Sequence, residues 1–275
     1  VGDESRGKAT VSLLSETRAK LKVKFPLLDK RAGKAERKRV LGVIDDALAI
    51  QQKGSQYIPA VQQGIWDGRR HLFYRDNGTF PKGLVPRVRA LCHELNLRVK
   101  TKDLRKHVLP AADVSRVTPD MLAGVELRDY QLDAIKSALE NGCGLLWMAT
   151  NAGKSECGAA IIKVLREHKA LFLVHTKALL AQARERIATR LGTIEEHIGI
   201  IGDGRFDPKH ITVATVQSLT RVRGAERKKI IAKYLKMIDV LILDETHHGS
   251  AKSFYRLMQR IQAPFRFGLS GTPFG

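Results

Sequence analysis

The fold this sequence predicts is α/β, with a mainly parallel sheet flanked by helices, preceded by a small α+β domain. Three observations carry that reading. From Gly144 onward, short apolar runs alternate with stretches whose apolar residues fall at helical spacing. Several of the runs are apolar at nearly every position, as strands buried on both faces of a parallel sheet are. Before them, strands with a clean in–out alternation mix with two amphipathic helices.

In chain order, "TRAKLKVKFP" (17–26) alternates like a half-buried strand and "KAERKRVLGVIDDALAIQQ" (34–52) reads as a helix. "YIPAVQQG" and "RRHLFYRDNGTF" are expected to pair as strands, with Asp76, Asn77 and Gly78 as turn residues. "VPRVRALCHELN" (85–96) reads as a second helix and "LRVKT" as a short strand. The first domain is therefore assigned to residues 1–108, its compact part covering about 8–105, and "LPAADVSRVTPDMLAGV" (109–125) is expected to be a linker. In the second domain, residues 126–275, strands are expected at "GLLWMA" (144–149), "ALFLVH" (170–175), "HIGII" (197–201), "ITVAT" (211–215), "VLIL" (240–243) and "FGLS" (267–270). Helical stretches such as "KSECGAAIIKVLREH" and "KALLAQARERIATRL" lie between them.

Composition narrows the partners. The 275 residues are 43% hydrophobic and 28% charged, with a net charge of +20. Residues 1–124 carry 25 basic against 13 acidic side chains and residues 125–275 carry 23 against 15, so both halves are basic. That balance points to a polyanion, and to nucleic acid ahead of an anionic membrane, because no basic amphipathic helix bears Trp or Phe on its apolar face. No apolar run approaches the roughly 18–20 residues of a membrane span, and the polar start "VGDESRGKAT" has no signal-peptide core. Cys92, Cys143 and Cys157 have no metal-type spacing and fit a reducing cytoplasm. The missing initiator Met suggests a processed start.

Three stretches carry chemistry. "GLLWMATNAGKSECG" (144–158) puts Gly153, Lys154 and Ser155 between an apolar strand and a helix. Backbone N–H groups at such a helix start cradle phosphate oxygens, Lys154 reaches the β/γ-phosphates, and Ser155 binds Mg²⁺. The bland alternative is a G-K-S on a surface turn. Met148 stands where the general pattern has its first glycine. It can do so if the chain there is still extended with negative φ, making Met148 the last inward-facing strand residue before a working loop from Thr150 to Ser155. In "IDVLILDETHHGS" (238–250) a buried strand ends in Asp244 and Glu245. Asp244 suits Mg²⁺ and Glu245 suits a general base for attacking water. A solvated strand-to-helix turn is the alternative. His247 and His248 have no zinc spacing. "FGLSGTP" (267–273) could by itself be any strand exit.

Taken in order, these stretches resemble the superfamily 2 helicases and translocases of the DExH subtype. "TNAGKS" is similar to motif I, which in that family often starts with a residue other than glycine. "DETH" is similar to motif II and "SGT" to motif III. "LRDYQLDAI" (127–135) resembles the adenine-reading segment ahead of motif I, "LVHTKALLAQ" (173–182) motif Ia, and "ATVQSL" (214–219) the next nucleic-acid motif. The pattern "GIWDGRRHLFYRDNGTFPKGLVPRV" (64–88) narrows the likeness to UvsW-type phage recombination helicases, with XPB and RecG-like translocases more distant. The resemblance implies a RecA-like domain that binds ATP and Mg²⁺ through Arg128, Gln131, Met148, Ala149, Thr150, Asn151, Ala152, Gly153, Lys154 and Ser155. Asp244 would hold Mg²⁺ and Glu245 activate water, while His247, Ser270 and Thr272 would couple the nucleotide to the nucleic-acid site. Thr176, Lys177, Gln182, Thr215 and Gln217 would lie near a sugar-phosphate backbone, where hydroxyls, amides and cations make contacts that read no sequence.

In the first domain, Arg69, Arg70, His71 and Arg75 surround an expected hairpin with Trp66, Phe73 and Tyr74, a mixture able to grip phosphate and stack on bases. Trp66 and Phe73 could equally be core. The run "KRAGKAERKR" (30–39) is a second phosphate-contact candidate or a solvated helix face. The expected partner is DNA, branched or duplex, acted on by an ATP-dependent helicase or translocase; the alternatives are a DNA-binding module that takes ATP as a conformational ligand, or a DExH helicase acting on RNA. The chain ends just after motif III, so the resemblance further implies a second RecA-like domain, with the arginine finger, as the other half of the motor. Without it, ATP turnover is expected to be negligible.

Overall fold

The computed structural model describes residues 7–105, 109–245 and 252–271. The chain divides into two compact units, Val1–His107 and Val108–Gly275.

In the first unit the strands β1 (Lys8–Leu13), β2 (Arg18–Lys24), β5 (Thr79–Pro81) and β6 (Arg98–Asp103) form one sheet in the order β5-β2-β1-β6. β1 runs antiparallel to β2 and parallel to β6. Helix α1 (Lys30–Leu48) starts at Asp29, whose Oδ1 accepts from the N–H groups of Arg31 (2.8 Å) and Ala32 (2.9 Å), satisfying two orphan donors. Its Val40, Leu41, Ile44 and Leu48 make one buried stripe, and α3 (Val85–Glu94) contributes Val88, Leu91 and Cys92. Both stripes join one core with Ala9, Val11, Ala19, Leu21 and Val23, so the helices cover one face of the sheet.

Two expectations fail here. "YIPAVQQG" is not a strand: it starts on the last residue of the 3₁₀ turn Ser55–Tyr57 and holds the short helix α2 (Pro59–Gln62), because Pro59 fixes φ at a helical value at that helix's first position. Arg69 and Arg70 (β4) pair instead with Ile50 and Gln51 (β3). The turn at Asp76–Gly78 is present, with Gly78 at φ 71° and its N–H bonded to Tyr74 O at 2.8 Å. The residues of 109–125 do not behave as a linker. Val117, Met121 and Leu122 are buried in the second unit's core, and Leu109, Ala112, Val114 and Val125 pack against it. Proline-rich irregular backbone can pack as well as regular structure when its apolar residues face inward.

The second unit contains α4 (Asp129–Asn141), β7 (Cys143–Trp147), α5 (Lys154–Val164), β8 (Ala170–Val174), α6 (Lys177–Leu191), β9 (Ile198–Gly202), β10 (Arg205–Asp207), β11 (Ile211–Thr215), α7 (Val216–Thr220), α8 (Ala225–Leu235), β12 (Val240–Asp244), α9 (Lys252–Arg260) and β13 (Phe265–Ser270). Its sheet has the order β10-β9-β11-β8-β12-β13-β7 and is parallel except for β10. Successive residues of β8 face opposite cores: Ala170, Phe172 and Val174 point to α4, α5 and α6, while Leu171 and Leu173 point to α7, α8 and α9. That is the two-sided burial read from the apolar runs. β7 departs from it, with Leu145 and Trp147 44% and 67% exposed, because it is the edge strand. Gly158 lets α5 lie close to the sheet: a Cβ there would stand 3.1 Å from Phe172 and 3.3 Å from Leu269. No helix among the described residues is long and apolar enough to cross a membrane.

Candidate nucleotide site

In a parallel sheet the loops that leave the carboxyl ends of neighbouring strands converge, and ligands bind there. The order β12-β13-β7 sets three such ends side by side. β7 leads into the loop before α5, β12 ends in Asp244, and β13 ends in Ser270.

The loop is built around two left-handed residues, Asn151 (φ 66°) and Gly153 (φ 78°). Met148 is not one of them. It is 8% exposed, and its N–H donates to Ser270 O at 3.1 Å, so β-type pairing continues one residue past β7. A Cβ on Gly153 would lie 2.1 Å from Gln131 Nε2, a second reason for glycine there. Gln131 is 6% exposed. Its Oε1 accepts from Arg128 N at 2.8 Å and its Nε2 donates to Ala152 O at 3.0 Å, tying the start of α4 to the loop. Tyr130, unnoticed in the sequence, donates its hydroxyl to the same carbonyl at 3.1 Å.

Lys154 opens α5 and is 9% exposed. Its Nζ donates to Met148 O (3.3 Å) and Ala149 O (3.1 Å). A Cβ on Gly271 would meet Lys154 Nζ at 3.4 Å and Thr150 Oγ1 at 3.5 Å, and Trp147 Nε1 donates to Gly271 O at 3.1 Å. The exit of β13 thus lies directly against the loop. Ser270 is fully buried.

Ser155, Gln182, Arg186 and Asp244 line one cleft, floored by Phe172, Leu179, Ala183 and Ile187. Arg186 Nη1 donates to Ser155 Oγ at 3.2 Å. Burial first, and the neighbouring Glu245 charge second, push the Asp244 carboxyl above its ordinary value, against the Glu245 N–H hydrogen bond and then the pull of Lys154 and Arg186. Glu245 is left-handed (φ 51°), and its N–H donates to Asp244 Oδ1 at 3.1 Å. A carboxylate and a hydroxyl converging on one cleft are the hard oxygen donors a Mg²⁺ ion takes, with phosphate and water completing its shell. No group of three His, Cys, Asp or Glu that could hold a metal occurs among the described residues.

The remaining candidates divide. His247 and Thr272 lie outside the described residues. Thr176 caps α6 by accepting from Leu179 N at 3.3 Å, and Lys177 pairs with Asp203 at 2.9 Å on the surface. Gln217 is exposed. Gln182 lines the Ser155–Asp244 cleft rather than a separate surface. Thr215 is 3% exposed and bonds Ser218 Oγ at 2.7 Å, so its hydroxyl is turned inward as a helix cap, a role the motif likeness did not anticipate. In the first unit, Arg69 donates to Asp46 O at 2.7 Å, Arg75 ion-pairs with the buried Asp45, and His71 bridges Asp45 and Asp67 at 2.8 Å on each side. Those cations hold the unit together. Arg70 is half-buried on β4. Phe73 is core, Trp66 is half-buried with Nε1 donating to Arg69 O at 3.0 Å, and Tyr74 is 51% exposed. Arg186, like Tyr130, is a residue that sequence reasoning missed. Its signal was a stripe, Leu179–Gln182–Ala183–Arg186, where two polar residues interrupt an otherwise apolar helix face.

An α/β domain with this strand order, a Gly-Lys-Ser loop after β7 and Asp244 at a neighbouring strand end has the architecture of a RecA-like nucleotide-binding domain. The chain belongs to the family described as Type III restriction enzyme, res subunit, whose profile matches residues 124–275. Among curated relatives, the DNA 3'-5' translocase XPB2 of Sulfurisphaera tokodaii is 32% identical over 64% of this chain and 39% of its own length. The ATP-dependent DNA helicase uvsW of Enterobacteria phage T4 is 27% identical over 82% of this chain and 47% of its own. The chain therefore spans less than half the length of either. The crystal structure of the UvsW helicase from bacteriophage T4 superposes with a TM-score of 0.74 at 20% identity, covering 96% of this chain and 92% of that one, and so shares the fold.

Proposed function

We propose that this chain provides the ATP-binding half and part of the DNA-binding surface of an ATP-dependent DNA helicase or translocase that remodels branched or duplex DNA. The observation that carries the proposal is the convergence of Lys154, Ser155, Asp244 and Glu245 where the loop after β7 meets the end of β12. Lys154 neutralises the β/γ-phosphates of ATP, and N–H groups at the start of α5 donate to phosphate oxygens. Ser155 and Asp244 would hold Mg²⁺, which would supply positive charge to offset the charge that develops on the transferred phosphate. Glu245 takes a proton from the attacking water. Gln131 and Arg128 face the base, with Gln131 already linked to the loop through Ala152 O.

Ser270 supplies coupling, because its carbonyl accepts from Met148 N–H and the next residue, Gly271, lies where a Cβ would stand 3.4 Å from the Lys154 ammonium. Lys177 and Gln217 contribute on the DNA side. A second RecA-like domain carrying an arginine finger is the proposed partner, a residue worth about 10³–10⁵ in rate in other nucleotidases. The test is fork remodelling and DNA-stimulated ATP hydrolysis by the motor with that domain attached. Lys154→Ala abolishes both under this reading. Undiminished remodelling by that variant sinks it.

A further inference from the structure

The four-stranded sheet of the first unit has helices on one face only, and its other face carries a lattice of cations. Pairing places Lys24, Lys8 and Arg98 side by side across β2, β1 and β6. The next row on that face is Lys22, Thr10 and Lys100, and the third is Lys20, Ser12 and Lys102. Paired residues share a face, and residues two apart on a strand share it too, so these rows form one surface. Lys8, Lys22, Lys24, Arg98, Lys100 and Lys102 are exposed. No carboxylate occurs in any row. Among the described residues, Lys8, Lys20, Lys22, Lys24, Lys100 and Lys102 make no ion pair.

A solvent-facing lysine is ordinary, and lysine on an edge strand such as β6 discourages aggregation. That does not explain Lys8 on β1, which β2 and β6 flank on both sides, or Lys20 on β2, where β5 and β1 flank it. Like charges directly opposite one another destabilise a sheet, and here Lys8 stands between Lys24 and Arg98. Rows about 4.8 Å across and about 6.7 Å along the strands give a dense array of positive charge. A phosphate backbone is the complementary polymer.

The same face says which nucleic acid. Four-stranded sheets that read single-stranded RNA stack bases on aromatic side chains of the sheet, and single-strand binders generally need such platforms. Here those positions are Lys, Arg, Thr and Ser, while Phe80 points into the core at 1% exposure. We infer that the open face of the β5-β2-β1-β6 sheet binds duplex DNA through its phosphates, without reading sequence. This rests on the DNA reading proposed above and moves the first unit's contact from the Arg69–Arg75 region to the sheet.

The experiment uses the whole chain and a labelled 30-base-pair duplex, with affinity followed by anisotropy from 50 to 300 mM salt. Lys22→Gln/Lys100→Gln lowers the slope of log K against log salt by about 1.8, at about 0.9 per phosphate contact, and weakens binding about tenfold or more at 0.1 M salt. Lys228→Gln/Lys236→Gln, removing two exposed charges at and just beyond α8, leaves the slope unchanged. Thermal melting of the sheet variant is unchanged or higher, since it loses like-charge crowding. An unchanged slope in the sheet variant, or an equal fall in the α8 variant, overturns the assignment. So does a larger loss on single-stranded DNA or double-stranded RNA than on duplex DNA. If the wild-type chain shows no salt-dependent DNA binding at all, the broader DNA reading fails. If it binds and only the sheet variant is silent, the failure belongs to the sheet alone.

Discussion

The seven-stranded sheet of the second unit concentrates its charge at strand ends, whereas the four-stranded sheet of the first spreads charge over a face. At the strand ends each ionic group has a fixed partner: Lys154 with two carbonyls, Arg186 with Ser155, Asp244 with the Glu245 N–H. On the open face the lysines have neighbours of the same sign. The first arrangement suits a small ligand whose oxygens must sit at defined points. The second suits a polymer that can slide from one register to another.

Four measurements would break or sharpen that contrast. The largest effect is expected at Lys154. Replacing it with Ala lowers affinity of the chain for a fluorescent ATP analogue by about tenfold or more, because a charge-assisted phosphate contact is worth about 1.5–3 kcal/mol. An unaltered affinity would mean the strand ends are no more ligand-specific than the open face.

Next is Gly153. Alanine there must adopt φ 78° with its Cβ on top of Gln131. The cost is about 2 kcal/mol, a fall of roughly 5 °C in melting temperature. Adding Gln131→Ala recovers the steric part and leaves the backbone part. If the double variant melts no higher than the single, the loop and α4 are not packed as described.

A smaller change of opposite sign is expected at Asp244. Asparagine removes a charge that burial and Glu245 both disfavour, so the chain melts about 2 °C higher at neutral pH while the Mg²⁺ dependence of nucleotide binding is lost. Lower stability would show that Lys154 and Arg186 outweigh burial.

The smallest effect concerns His71, whose ring nitrogens face Asp67 and Asp45. Hydrogen bonds to Asp67 and then Asp45 raise its pKa above 6.5. The folded unit holds the proton more tightly than the unfolded chain. Its stabilisation is complete below 6.5 and declines as pH rises through the raised value. Solvent screening keeps the effect small at a side chain this exposed. Denaturation of the first unit at pH 5.5 and 8.5 should show the slope in wild type and not in His71→Gln.

Much of this was legible beforehand for reasons that differ by region. The buried strands announced themselves because a parallel sheet covered on both sides leaves no position for a polar residue, and β8 and β12 obey that. β7 read as the same kind of strand because an edge position leaves no mark on six apolar letters. Asp244 stood out because carboxylates at the end of a buried strand are costly without a use, and Lys154 because Gly-Lys-Ser falls between a strand and a helix. Arg186 was not, since an arginine on a helix is usually solvated and only the packing of α6 turns it toward Ser155. The Arg69–Arg75 cations looked like a grip on phosphate, but their carboxylate partners, Asp45 and Asp46, lie 23 to 30 residues away and become visible only when α1 meets β4. The cation lattice was hidden for the same reason. Alternating lysines in one strand are commonplace, and register alone puts those of β2 beside β1 and β6.

Lys154 holds the carbonyls of Met148 and Ala149 with the same ammonium proposed to meet phosphate. The loop closes on its own cation, so its shape does not have to be bought with ligand. On the proposed function, a phosphate would exchange partners at a prebuilt socket instead of ordering a coil.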